Sequence, residues 1–448
     1  MHPQSLGPYV DDRPQDGVFR VHRDVYADPG LFELEMKYVF GRTWNYLALE
    51  AEIARPNDFV TRHIGRTPVL VARSAAGRLG AFVNACRHKG ATVCRAEEGN
   101  ARFHVCPYHG WAYDASGRNV DIKDRAAGAY SPAFEAENHD LLPIAKLASY
   151  KGMVFGSLSP DVPELADHLG DLRFFLDLHM EQGPDGMEVI PGRAVYSYRG
   201  NWKMQLENGQ DPYHVTTTHG SFYSILERRR RGQGNKDARS LDWSNRDVVE
   251  GGAFELAHGH ATTWIDVAEP EKRPTWPMLG EITRRVGALK AEWMIRQRNA
   301  VCFPNLQVAD QIAPLLRTFR PVAVGLTELR SFVIAPVGEP PEARARRLRI
   351  FEDFVNPGGY ATPDDVTVFA ECHAGYQGRD PVWLQGYERG MTALRQGGNA
   401  LSGAMGIRPA ASVQGPLPMC TEAAALHGPL REWARLMEAG LSGRKAYE

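Results

Sequence analysis

The sequence predicts an α+β chain: an all-β module and a larger domain whose central antiparallel sheet is flanked by helices. Three observations predict it. Short β-rich runs separated by turn residues fill positions 46–158. Beyond position 159, further β-runs are interleaved with amphipathic stretches of helical period. The 448 residues exceed one ordinary core; at about 150 residues per domain they suggest three domains, with two equally compatible.

The elements follow in order. Residues 1–45 read as an arm and a helix packing on the larger domain. Asp28-Pro29-Gly30 reads as a turn, and Leu31, Phe32, Leu34, Met36, Tyr38 and Val39 then give a helical apolar pattern. Within 46–158, the runs 59–64, 68–72 and 79–84 read as strands. Ala75-Ala76-Gly77-Arg78 and Asp114-Ala115-Ser116-Gly117 read as hairpin loops. Within 159–448, residues 162–176 read as a helix with Pro163 in its first turn, where proline is tolerated. Runs 194–198, 315–319 and 329–335 read as strands of one antiparallel sheet. Stretches 340–354 and 430–441 read as amphipathic helices, the latter with Leu430, Trp433 and Met437 on one face. Glu227-Arg228-Arg229-Arg230-Arg231-Gly232-Gln233-Gly234-Asn235-Lys236 reads as a basic surface loop.

Composition excludes more than it selects. Lys and Arg total 52 against 54 Asp and Glu, a net charge of −2, so no basic surplus marks a nucleic-acid or anionic-membrane binder. The N-terminal text lacks the apolar stretch of a secretory signal, and no run approaches the roughly 18 apolar residues of a membrane span. A cytoplasmic protein is expected. Six cysteines are too few for a disulfide scaffold, so cysteines near histidines read as metal ligands or catalysts.

Two of the six stand in such a pattern. Cys86-Arg87-His88-Lys89-Gly90 is followed, after 17 residues beyond His88, by Cys106-Pro107-Tyr108-His109-Gly110-Trp111. Two turns, each after a β-run, supply two thiolates and two imidazoles. Zinc fingers pair Cys with Cys and His with His, whereas here each loop gives one of each. A Rieske 2Fe–2S centre, with thiolates on one iron and imidazoles on the other, wants that set. Gly90 and Gly110 are expected to let backbone N–H groups approach the sulfurs, and Pro107 to stiffen its loop. On these residues the chain strongly resembles the Rieske domain of the ring-hydroxylating non-haem iron oxygenases. Lys89 stands where many members have arginine and keeps the charge.

A second constellation lies downstream. Asn201-Trp202-Lys203 precedes Glu207-Asn208-Gly209-Gln210-Asp211-Pro212-Tyr213-His214, and four residues later comes His219. Two histidines and a carboxylate form the facial triad of non-haem Fe(II) oxygenases. On an ideal helix, five steps of about 100° leave His214 and His219 about 140° apart, so the helix must be distorted or the metal must sit at its end. Pro212 is expected to start or bend that helix. By the resemblance, His214 and His219 are iron ligands. The third is expected in Tyr360-Ala361-Thr362-Pro363-Asp364-Asp365, with Asp365 preferred and Asp364 the alternative. Asp211 is expected to bridge to the Rieske His109 of an adjacent subunit.

The resemblance covers roughly residues 18–440 and implies a Rieske domain over 46–158 and a catalytic domain over 159–448. It implies a terminal oxygenase with one Rieske 2Fe–2S cluster and one mononuclear Fe(II). It implies a reductase or ferredoxin donor, a homotrimer (α3 or α3β3) and a small β subunit. NADH would be used indirectly, since no dinucleotide fingerprint follows a strand. Glu207-Asn208-Gly209, Cys302-Phe303-Pro304-Asn305-Leu306 and Ala361–Asp365 point to the benzoate, anthranilate and halobenzoate group. The expected reaction is cis-dihydroxylation of an aromatic carboxylate. Rival readings are a Rieske monooxygenase or demethylase such as a salicylate hydroxylase, a bare electron carrier and a zinc-stabilised module. A substrate carboxylate needs an Arg, with Arg228 to Arg231 and Arg317 as candidates. Cys94, Cys302, Cys372 and Cys420 lack paired histidines and read as small buried residues or inert thiols.

Overall fold

The computed structural model describes residues 9–233, 249–310, 314–378, 380–417 and 422–447. Contacts divide the chain into two compact units. One comprises residues 40–165 with Tyr447, and the other residues 1–39 and 166–446 with position 448.

The smaller unit is three antiparallel sheets. Leu79–Val83, Thr67–Arg73, Asp58–Ile64 and Glu98–Asn100 form the first in that order. Asn119–Asp121, Ala112–Asp114 and Phe103–Val105 form the second; Lys146–Tyr150, Met153–Ser157 and Asn45–Leu49 form the third. Ile64 pairs with Thr67, so Gly65 and Arg66 alone turn the first hairpin; Gly65 takes the positive φ of 55° that such a tight turn asks for. One Cys/His loop leaves the strand Leu79–Val83, and the other joins Phe103–Val105 to Ala112–Asp114. Cys86 and Cys106 belong to one buried cluster with Phe59, Leu70, Trp111 and Tyr113. The loops are therefore anchored in the core by their cysteines.

The larger unit holds a ten-stranded antiparallel sheet among the described residues. Its centre runs Leu326–Pro336, Leu315–Ala323, Leu306–Asp310, Gln297–Cys302, Ala261–Ile265 and Glu250–Glu255. Ala194–Tyr198 pairs with Leu326–Pro336, so the three predicted runs do share this sheet. Gln297–Cys302 and Leu306–Asp310 are buried at every position, as strands covered on both faces must be. The helix Glu422–Leu441 packs on Glu250–Glu255 and Ala261–Ile265, and Leu430, Trp433 and Met437 are buried in it as the periodicity requires. No helix among the described residues is long and apolar enough to cross a membrane.

Several local expectations are corrected. Asp28-Pro29-Gly30 is not a free turn. Asp28 caps the helix Pro29–Tyr38, its Oδ1 accepting the Leu31 N–H at 2.7 Å. The arm before it is a hairpin, Val10–Arg13 on Val18–His22. Positions 162–176 do not form one helix: Leu165–Leu169 and Leu172–Met180 are separated at Gly170, whose φ of 46° breaks the period. Positions 340–354 form the helix Pro341–Ile350, which widens into a π-turn over Phe351–Val355. The basic segment is helical, not a loop, as far as Gln233; its residues 234–236 lie outside the described residues. Consecutive arginines are good helix formers, and this outweighs the polarity that suggested a loop. Cys94 and Cys302 are buried but Cys372 is exposed, and Cys420 lies outside the described residues.

Candidate metal centres

The two Cys/His loops of the smaller unit are conformational twins. In each, the cysteine N–H bonds to the carbonyl five residues on, Cys86 to Ala91 at 2.8 Å and Cys106 to Trp111 at 2.8 Å. In each, the glycine four residues on donates its N–H to the cysteine carbonyl, Gly90 at 2.8 Å and Gly110 at 3.0 Å. Those glycines have φ of 75° and 77°, and a Cβ on either would meet nothing within 4 Å. They are needed for their left-handed backbone. Their own N–H groups bond to the cysteine carbonyls, and it is the His88 backbone N–H that approaches the Cys86 sulfur.

The side chains divide as two pairs. Cys86 and Cys106 are 4% and 3% exposed, and the His88 and His109 rings lie 4.4 Å apart. The Tyr113 hydroxyl sits 3.3 Å from the Cys86 sulfur and accepts the Arg87 N–H at 3.1 Å. Trp111 stacks on His88 at 5.1 Å. Burial pushes the Cys86 thiol above its ordinary value, Tyr113 draws it down, and the neighbouring Cys106 adds to the rise. Buried adjacent thiols of this kind become thiolates when a metal displaces their protons. The His109 Nδ1 is buried without a hydrogen-bond partner among the described residues, as a nitrogen reserved for a metal would be. Two soft and two imidazole donors, paired by type, fit a 2Fe–2S cluster.

The second constellation is assembled from two helix starts in the larger unit. The helix Trp202–Asn208, capped by Asn201, ends ahead of Asp211. A four-residue helix, Val215–Thr218, then runs between His214 and His219, and a new helix begins at Gly220. The helix is thus broken at His219, whose φ of −99° and ψ of 27° swing its ring back toward His214. Pro212 lies in the bend before this helix and does not start it.

Asp364 and Asp365 occupy the first turn of Thr362–Tyr376. The Asp365 Oδ1 lies 3.3 Å from His219 Nε2 and 3.6 Å from His214 Nε2. One donor atom from each of the three falls within 4.8 Å of the others. Asp364 turns elsewhere: its Oδ2 is 3.4 Å from His219 Nδ1. Asp211 Oδ2 is 3.2 Å from His214 Nδ1. Each imidazole therefore has one nitrogen against a supporting carboxylate and the other turned to a common point, the arrangement that orients metal-binding histidines. His219 is 1% exposed, while the Asp211 side chain is 22% exposed.

Asn208 also belongs here: its Nδ2 is 3.2 Å from both His214 Nε2 and Asp365 Oδ1. No spacing rule marks it; only its position at the end of a helix just before the His segment hints at it. Gly209 is required by close packing, because a Cβ there would lie 2.1 Å from the Gln307 amide. A pocket opens over the triad, lined by Val215, Leu315 and Phe354 and by the polar Asn299, Gln307 and Arg317. Its empty space is about 510 Å³ counting the part open to solvent.

Behind the triad the supporting helix rests on a buried polar network. Lys203 pairs with Glu35, which also accepts from Trp202 and Trp433 at 2.8 and 2.7 Å. Glu207 accepts from the Tyr26 and Tyr387 hydroxyls. Burial pushes Glu207 up to about 7, against the pull of those two donors. Elsewhere in the larger unit, His260 is a core residue: its Nδ1 accepts the Phe303 N–H at 3.1 Å and its Nε2 meets the His168 carbonyl at 3.1 Å.

Two protein families match this chain. The Rieske 2Fe-2S domain family matches residues 43–147, and the catalytic domain of the ring-hydroxylating alpha subunit matches residues 188–399. Toluate 1,2-dioxygenase subunit alpha of Pseudomonas putida is 40% identical over 371 residues, 82% of each chain. The anthranilate 1,2-dioxygenase large subunit of Acinetobacter baylyi is 41% identical over 410 residues, 89% of this chain and 86% of that one. The crystal structure of naphthalene 1,2-dioxygenase from Rhodococcus sp. bound to indole superposes with a TM-score of 0.79 at 27% identity, covering 94% of both chains.

Proposed function

This chain belongs to the alpha subunits of the Rieske ring-hydroxylating oxygenases, and we propose that it cis-dihydroxylates an aromatic carboxylate. It is an oxidoreductase with a Rieske 2Fe–2S cluster and a mononuclear iron, and it draws on NADH through a reductase or ferredoxin partner. The relatives that support the substrate class act on toluate and anthranilate, both benzoate derivatives.

In this reading Cys86, His88, Cys106 and His109 hold the cluster, and His214, His219 and Asp365 hold the iron. The observation that carries it is the convergence of both Nε2 atoms on one Asp365 oxygen in the lining of a pocket. When bound, the two centres supply single electrons and the reductive activation that triplet O₂ needs before it attacks a ring. Asp211 and Asp364 hold the Nδ1 edges of His214 and His219, which leaves both Nε2 lone pairs facing the pocket. Val215, Leu315 and Phe354 exclude water around the ring. The balanced reaction is arene + O₂ + two electrons + two protons to cis-dihydrodiol. Loss of CO₂ together with ammonia or hydrogen halide from the diol of an amino- or halobenzoate would give a catechol with no further oxidant.

Asp211 is the proposed electron entry. Its carboxylate is partly exposed while it holds His214, so it can also receive His109 of an adjacent copy. A trimer, α3 or α3β3 with a small β subunit, follows as the working assembly. Asp211→Asn is expected to keep both metals and lose turnover; retained turnover removes Asp211 from the route.

The deciding experiment supplies reductase, NADH and ¹⁸O₂ to the purified protein with benzoate, anthranilate, salicylate, halobenzoates and cumate in turn. A dioxygenase places both labelled atoms in one product. One labelled atom per product makes it a monooxygenase. Iron analysis should find about three irons per chain; two would reduce it to an electron carrier.

A further inference from the structure

Four arginines are buried among the described residues: Arg273, Arg298, Arg317 and Arg347. Three of them face carboxylates. Arg273 and Arg298 pair with Asp310 at 2.6 and 2.7 Å, and Arg347 pairs with Glu339 at 2.8 Å. Arg317, 7% exposed, has no carboxylate within ion-pair distance among the described residues. Among the described residues its one hydrogen bond is from Nε to the Ser331 Oγ at 3.1 Å, and the outer edge of the guanidinium meets no other described partner. A buried cation without an anion is costly, and an always-charged guanidinium cannot relieve the cost by losing a proton.

The strand register says where that edge points. Arg317 and Leu315 lie on one face of Leu315–Ala323, and both line the pocket that holds His214, His219 and Asp365. Arg317 is directly opposite Gln307, whose amide lies against Gly209, the neighbour of Asn208. The cation therefore shares a pocket lining with His214, His219 and Asp365. The rival arginines are otherwise placed. Arg229 pairs with Asp353 at 3.1 Å, Arg228 and Arg231 are exposed, and the Arg230 side chain lies outside the described residues.

We propose that Arg317 binds the substrate's carboxylate and is the residue that selects aromatic monocarboxylates over neutral arenes. This rests on the reading of the triad pocket as the substrate site. The missing anion is supplied by the ligand, with the planar fork matched to a carboxylate and the ring held over the apolar side chains.

The test is calorimetric titration of the metal-loaded enzyme with benzoate and with its neutral counterpart benzamide. The wild type should prefer benzoate, and Arg317→Gln should weaken benzoate binding by about 100-fold and collapse that preference. Arg317→Lys, which keeps the charge without the fork, should recover part of the loss. Cluster absorbance and iron content equal to wild type establish that each variant is folded. Arg317→Gln binding benzoate as the wild type does overturns the proposal. So does a wild type that binds benzamide as tightly as benzoate, whatever the variants do. Turnover reports separately: a wild type that binds benzoate through Arg317 but yields no oxygenated product with any arene defeats the oxygenase reading and leaves this one standing.

Discussion

The cluster loops and the iron triad use the same chemical letters in opposite ways. Each cluster loop is closed by its own backbone: five residues, one glycine at positive φ and two hydrogen bonds, repeated at Cys86 and Cys106. The triad has no such local frame. His214 and His219 flank a broken helix, Asp365 arrives on a helix far along the chain, and the second nitrogen of each imidazole is held by a further carboxylate. Local closure makes a motif that is short and recognisable. Assembly from distant segments makes a site whose members are set by packing, and it should be sensitive to changes well away from the metal.

The largest test of that difference removes one ligand from each. Cys86→Ser should lose the visible Rieske spectrum and keep the mononuclear iron, and Asp365→Ala should do the reverse; both should abolish turnover. Loss of both metals from either variant would break the idea that the two frames are independent.

Next comes the network behind the triad. Glu207 has an ordinary value of 4.5 and is pushed up to about 7 in the folded chain. Between those values the unfolded chain has released the proton and the folded chain still holds it. Stability should therefore fall as pH rises through that window and level off above it, by about 3 kcal/mol in all. Glu207→Gln should flatten this slope in thermal unfolding measured from pH 4.5 to 8. An unchanged slope would place the titrating group elsewhere.

Asp364→Ala should weaken iron binding by roughly 10–100-fold without removing it, as for other carboxylates that steady a metal-bound histidine. Complete loss of iron would exchange the roles of Asp364 and Asp365. The smallest effect is expected at the cluster loops. Gly110→Ala meets no steric clash but must hold a left-handed backbone, which costs about 1–2 kcal/mol. Gly209→Ala instead collides with the Gln307 amide, and its damage should appear as lost iron. Thermal unfolding and iron content of the two variants distinguish strain from collision.

What could be read from residues alone follows the same line. The β texture of 46–158, the Cys-x-His and Cys-x-x-His loops and the central sheet runs were all visible, because each is a pattern within a few residues. The basic segment 227–236 misled, since polarity suggests a loop where Glu227 to Arg231 in fact continue a helix. Asn208 was visible only as part of the Glu207-Asn208-Gly209 resemblance, and its contacts with both His214 and Asp365 were not.

By itself, then, the sequence determined which side-chain types could bind metal and in which two segments they cluster. Only the tertiary structure decided among chemically equal neighbours. Asp364 and Asp365 differ by about 100° around one helix, so the packing of that helix chooses which oxygen stands between the imidazoles. Arg317 differs from the arginines of 228–231 because strand pairing places it in the pocket lining with no carboxylate partner among the described residues, and no one-dimensional pattern records the absence of a partner.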